Sequence, residues 1–144
     1  MGYTEKTFSL FGDVRYRAPE VIQGRPYGFK ADCWSFGVIL FFMLCGELPF
    51  DIDEIPEDDS EDLSCESSED GNKVILIDKV QEVEQLILDC QPNFQLLSKR
   101  GCSRTSIDLV QKLLHKDPET RLSSAAALKH SWFKLNLEAP LSED

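Results

Sequence analysis

At 144 residues the chain is long enough for one hydrophobic core. Hydrophobic residues make up 42% and charged residues 28%, which excludes a wholly disordered tail and a bundle of membrane spans. A formal net charge of −11 argues against nucleic acid or an anionic membrane surface as a partner, since either would demand a basic face.

The acidity is local. Residues 51–70 hold eleven of the 26 Asp and Glu and no Lys or Arg; without them 15 acids face 15 bases. The body of the protein is therefore near neutral and the charge belongs to an insert. Five cysteines at irregular spacing, with no C-x-x-C pair, suggest neither a disulfide framework nor a zinc site. Free thiols, with no opening apolar stretch of signal-peptide length, point to an intracellular reducing compartment, cytoplasmic or nuclear. The most apolar run, Phe36 to Cys45, falls short of the roughly 20 residues that cross a bilayer.

Residues 1–30 mix Gly12, Pro19, Gly24, Pro26 and Gly28 with Tyr, Phe and Arg, the pattern of an irregular docking loop, with a short helix at Pro19 to Gln23. Residues 31–50 are read as a helix that is apolar all round and so buried, with Asp32 capping its start and Gly46 and Pro49 stopping it. Residues 51–72 read as a disordered acidic insert closing in an Asp70-Gly71-Asn72 turn.

The stretch 73–133 holds the remaining helices. Val80, Val83, Leu86 and Ile87 recur at helical spacing, with Glu82, Glu84 and Asp89 assigned to the opposite face. Ser103 opens a helix with the stripe Ile107, Val110, Leu113 and Leu114, ending before Pro118. Ser123 or Ser124 caps a short one through to His130, and residues 134–144 form a loose polar tail. No alternation long enough for a sheet occurs, so the fold class is mainly α, with helices around a central buried helix.

Several of these segments together resemble one family, the eukaryotic protein kinases of the Ser/Thr type, over the part that follows the Mg-binding D-F-G. Ala18-Pro19-Glu20 is similar to the A-P-E that closes the activation segment. Asp32-Cys33-Trp34-Ser35-Phe36-Gly37 resembles D-x-W-S-x-G, and Gly46-Glu47-Leu48-Pro49-Phe50 resembles G-x-x-P-F. Leu113 to Leu122 is similar to L-L-x-x-D-P-x-x-R-L, and His130-Ser131-Trp132-Phe133 to H-x-W-F. The final helices resemble calmodulin-dependent kinases, and the Thr7 to Gly12 loop resembles cyclic-nucleotide-dependent ones.

The resemblance implies the distal part of the kinase C-lobe. It implies that Glu20 pairs with Arg121, that Asp32 holds the catalytic loop, and that Trp34 and Gly37 are core residues. It makes Gly12, Asp13, Arg15, Tyr16 and Arg17 the loop that receives a protein substrate, and Ser9, with Thr7 beside it, a phosphorylation site. Ser67, three residues before Asp70, has the spacing favoured by acid-directed kinases. Asp13 departs from the family, which carries threonine there; an acid at that point would repel the catalytic base.

Phosphoryl transfer needs a glycine-rich loop, a paired strand lysine, Mg²⁺ ligands and a base. The sequence has no G-x-G-x-x-G, V-A-I-K, H-R-D or D-F-G, so no catalytic or metal-binding residue is assigned. ATP and Mg belong to a complete family member. The parental activity is ATP-dependent phosphorylation of protein Ser/Thr, with these 144 residues inactive alone. The alternative is a non-catalytic lobe that docks a protein partner through Gly12 to Arg17 and the Val80 to Cys90 helix. His115 and His130 lie away from any nucleophile motif and are read as structural or surface residues.

Overall fold

The computed structural model describes residues 12–52 and 70–137. A 3-10 turn, Val14–Tyr16, leads into α1 (Pro19–Ile22) and α2 (Phe29–Cys45). There follow α3 (Asp70–Asp89), α4 (Phe94–Lys99), α5 (Arg104–Leu113), α6 (Ser124–Ala127) and α7 (Ser131–Leu137). No strand occurs among the described residues, as the sequence predicts.

The core forms where α2 meets α5. Trp34, Val38 and Phe41 of α2 are buried with Leu109, Val110 and Leu113 of α5, and Val83 and Ile87 of α3 and Leu97 of α4 close the cluster. Close approach at the crossing requires Gly37: a Cβ built there would lie 2.9 Å from both Leu113 Cβ and Leu114 Cδ2. Gly37→Ala is therefore expected to cost about 1–3 kcal/mol through overpacking, despite its better helix propensity. Urea denaturation checks this; a variant as stable as the parent would show that the two helices can separate freely.

Helix ends follow local chemistry. Ser103 Oγ accepts from the Ser106 N–H at 3.2 Å and Ser123 Oγ from the Ala126 N–H at 3.3 Å, each satisfying one free amide of its helix. Gly46 closes α2 at φ 79°, a left-handed conformation that glycine adopts without penalty, and donates its N–H to Phe42 O at 2.7 Å. The turn after it folds Phe50 back onto Trp34, the rings stacked at 5.9 Å.

The structure corrects several expectations. Helix α2 starts at Phe29, two residues before the predicted start, because Gly28 is extended and supplies the break. Asp32 then lies inside the first turn and makes no capping hydrogen bond. Asp70, Gly71 and Asn72 form the first turn of α3 instead of a reverse turn; an acid suits the positive end of a helix. The segment after Phe133 continues as helix to Leu137, since Trp132 and Phe133 pack against the core and hold its start.

The largest correction concerns α2, which is not buried all round. One face carries Phe36, Ile39, Phe42 and Met43, between 43% and 75% exposed, and Phe29 at its head is 90% exposed.

Candidate functional site

Three features bear on function: the loop before α1, the joint between α1 and the segment after α5, and the open face of α2. The loop is organised by Asp13. Its carboxylate accepts from the Arg15 backbone N–H at 3.0 Å, capping the 3-10 turn, and is gripped by the Arg15 guanidinium through Nε and Nη2. Arg15 also reaches Asp51 at 3.5 Å, tying the loop to the segment after α2. Partial burial pushes the Asp13 carboxyl up, but its hydrogen bonds and charge contact with Arg15 outweigh this and hold it below the usual carboxylate range. The acid at this position is thus neutralised from within the loop.

Tyr16 and Arg17 fix the other end. Tyr16 O accepts from Ser35 Oγ at 2.8 Å, seating the turn on α2. Arg17 donates to Gly12 O at 3.1 Å and lies 3.7 Å from Glu84 of α3. Gly12, Asp13, Arg15, Tyr16 and Arg17 therefore form one braced loop. Glu84 is half-buried against it, a correction to its placement on an outward face, because α3 packs on the 3-10 turn at this point.

The joint is a buried clasp. Arg121 is 1% exposed and Glu20 is 3% exposed. Arg121 Nη1 donates to Glu20 Oε1 at 2.6 Å and Nη2 to Oε2 at 2.9 Å, the parallel two-point geometry that suits a guanidinium and a carboxylate. Its remaining donors go to His115 O at 2.8 Å, Lys30 O at 2.9 Å and Lys116 O at 3.0 Å. All five N–H groups of the guanidinium are thus used, which is what makes a buried charge tolerable. The same guanidinium carbon sits 5.2 Å from the Trp34 ring centroid. Burial pushes the Glu20 carboxyl up, but the hydrogen bonds from Arg121 and its charge prevail and lower it.

Ala18 and Pro19 are buried beside Glu20, so the whole tripeptide packs inward. Trp34 is fully buried, and its Nε1 has no hydrogen-bond partner among the described residues. Asp32, by contrast, is exposed at the head of α2. It borders an apolar cavity of about 450 Å³ that Phe29, Phe36, Leu128 and Phe133 also line.

His130 is buried, and its Nε2 meets Asp108 Oδ2 at 2.8 Å, linking the turn before α7 to α5. His115 is exposed and shares a hydrogen bond of 2.6 Å with Thr120. No group of His, Cys, Asp and Glu suited to a metal ion occurs among the described residues. Thr7, Ser9 and Ser67 lie outside the described residues. Sequence reasoning missed Asp51, Glu84 and Asp108 as partners; only the nearness of Asp13 to Arg15, two residues apart, offered a local signal for its part of the network.

A helical lobe joined by a buried acid–arginine clasp, with a braced loop before it, defines a class that comparison makes definite. The protein kinase domain model matches residues 1–133, and the chain belongs to the protein kinase family. Serine/threonine-protein kinase GIN4 of Saccharomyces cerevisiae is 40% identical over 120 residues, covering 83% of this chain and 8% of that protein. CDPK-related kinase 7 of Arabidopsis thaliana is 32% identical over 140 residues, covering 97% of this chain and 20% of the relative. The solved structure of the Rad53 kinase domain and SCD2 in complex with AMPPNP superposes with a TM-score of 0.61 at 26% identity, over 92% of this chain and 42% of that one. The chain therefore spans only a small part of the length of these curated relatives. Its helices are those of a Ser/Thr kinase C-lobe. No helix among the described residues is long and apolar enough to cross a membrane.

Proposed function

We propose that these residues are the substrate-receiving, distal C-lobe part of a protein Ser/Thr kinase, and that they do not transfer phosphate by themselves. The observation that carries this is the open face of α2. A helix with Trp34, Val38 and Phe41 fully inside and Phe36, Ile39, Phe42 and Met43 between 43% and 75% exposed is built to be covered. Asp32 stands at its head with a free carboxylate edge, where the family resemblance would have it hold the catalytic loop.

In this reading residues 1–30 are the activation-segment and docking region and the loop Gly12 to Arg17 takes the substrate residue that follows the phosphoacceptor. ATP and Mg are handled by groups outside these 144 residues. Phosphate on Ser9 or Thr7 would add about −1.5 to −2 charges just before a loop that contains Arg15 and Arg17. Ser67 would carry the same modification within the acidic insert. A protein substrate in the cytoplasm or nucleus is the expected target, with nucleic acid and membrane disfavoured by the charge balance.

The test has two arms. The purified chain, incubated with radiolabelled ATP and a protein substrate, is expected to give no phosphotransfer above background; turnover that persists after further purification would overturn the claim of incompleteness. Joined in frame behind the region of CDPK-related kinase 7 that precedes its matching segment, the chain is expected to support phosphorylation of protein Ser/Thr. Asp13→Thr, which restores the residue that the family carries there, should raise that rate. A folded chimera with no transfer in either form would sink the reading.

The exposed face of α2 also favours a second reading, a non-catalytic lobe that docks a protein partner there. A chimera that is inactive, while the chain alone forms a stable stoichiometric complex with one purified protein, would select it.

A further inference from the structure

We propose that Cys45 and Cys102 are a peroxide-sensitive pair that closes a reversible disulfide between the C-terminal end of α2 and the loop joining α4 to α5. Both thiols are free, and both hang from the carbonyls of one helix end. The single Cys45 S–H is shared between Phe41 O, 3.2 Å from the sulfur, and Glu47 O at 3.4 Å. Cys102 Sγ donates to Leu44 O at 3.5 Å, the carbonyl of the residue directly before Cys45. Across the same seam Arg100 Nη2 meets Glu47 Oε1 at 2.9 Å, holding the loop against the helix end.

Closure asks for Cβ atoms about 3.5–4.5 Å apart. Gly101, at φ 79° immediately before Cys102, has open space where a Cβ would stand, so no side chain there obstructs a small adjustment of the loop. The competing thiols are worse placed. Cys33 lies twelve residues before Cys45 on the same helix, roughly 18 Å away at 1.5 Å per residue. Cys90 is exposed at the end of α3.

The two sulfurs have different parts. Cys102 is half-buried and open to a small oxidant, whereas Cys45 is buried. The Cys102 thiolate attacks one oxygen of hydrogen peroxide and the O–O bond breaks. This leaves a sulfenic acid on Cys102, and the released hydroxide takes up a proton to become water. The Cys45 thiolate then attacks the sulfenic sulfur, the S–S bond forms, and the hydroxide that leaves is protonated to a second water. Overall the two thiols lose two hydrogens and the peroxide becomes two waters. Burial pushes the Cys45 thiol up, and Glu47, Cys102 and Arg100 are the charged or titratable groups that face it. Closure should accordingly run faster in mildly alkaline than in neutral buffer.

The full chain, treated with hydrogen peroxide and mapped by mass spectrometry without reduction, is expected to yield a peptide linking Cys45 to Cys102 that dithiothreitol releases. Cys45→Ser and Cys102→Ser should each abolish that peptide, and Cys90→Ser should leave its yield unchanged. Recovery of Cys45 and Cys102 only as separate peptides, or links that run mainly to Cys33, Cys65 or Cys90, would overturn the proposal. The readout is independent of kinase activity, so the pair can stand or fall whatever the lobe does.

Discussion

Arg121→Ala is expected to destabilise the chain by about 3–5 kcal/mol, because it strands a nearly fully buried carboxylate. Burial alone raises a carboxyl, and Arg121 reverses that at Glu20. In the parent chain the folded-state pKa lies below the ordinary value of 4.5, so the clasp contributes its stability above that pH and loses it as pH falls through the folded value. In Arg121→Ala the sign inverts. An unpaired Glu20 has its pKa raised, the folded state then binds the proton more tightly than the unfolded one, and acidification narrows the deficit relative to the parent. Urea denaturation across mildly acidic to neutral pH measures both effects. The double variant Glu20→Gln, Arg121→Met should recover much of the loss, since it removes both charges and keeps the volume. A single variant with parental stability at neutral pH would mean that Glu20 finds water instead of burial.

The clasp also shows how far the sequence could be read. Its two members are 101 residues apart, a distance at which periodicity says nothing, and they became legible only through the motifs flanking each. What the motifs did not reveal is the set of backbone carbonyls, at Lys30, His115 and Lys116, that uses up the other donors; that depends on how α2 and the segment after α5 meet. Helix existence was legible because the stripes of α3 and α5 are local, and Ser103 and Ser123 marked the starts of α5 and α6. The start of α2 was not, since an extended Gly28 leaves no side-chain signature. Asp13 was read as a bare repulsive acid, and the structure pairs it with Arg15. Arg17 with Glu84, and His130 with Asp108, are tertiary choices among many exposed-looking charges, and composition ranks none of them.

Charged substitutions on the open face of α2 should have opposite consequences in two contexts, and that contrast separates a covered helix from a surface one. Ile39→Lys with Met43→Glu adds an i,i+4 pair at positions 44% and 75% exposed. In the chain alone its effect on unfolding should stay within about 0.5 kcal/mol, while solubility rises as the apolar patch shrinks. In the kinase chimera the same side chains would be enclosed by the region preceding residue 1. The energetic scale there is different: burying polar groups without good partners costs about 1–3 kcal/mol each in proteins, and more for charges. Phosphotransfer should be lost along with soluble expression. Thermal melts and sedimentation of the two proteins, with and without the double substitution, provide the comparison. Equal tolerance in both would show that α2 keeps this face in water even within a complete domain, leaving Phe36 and Phe42 to be explained by a partner protein instead of by the rest of a kinase.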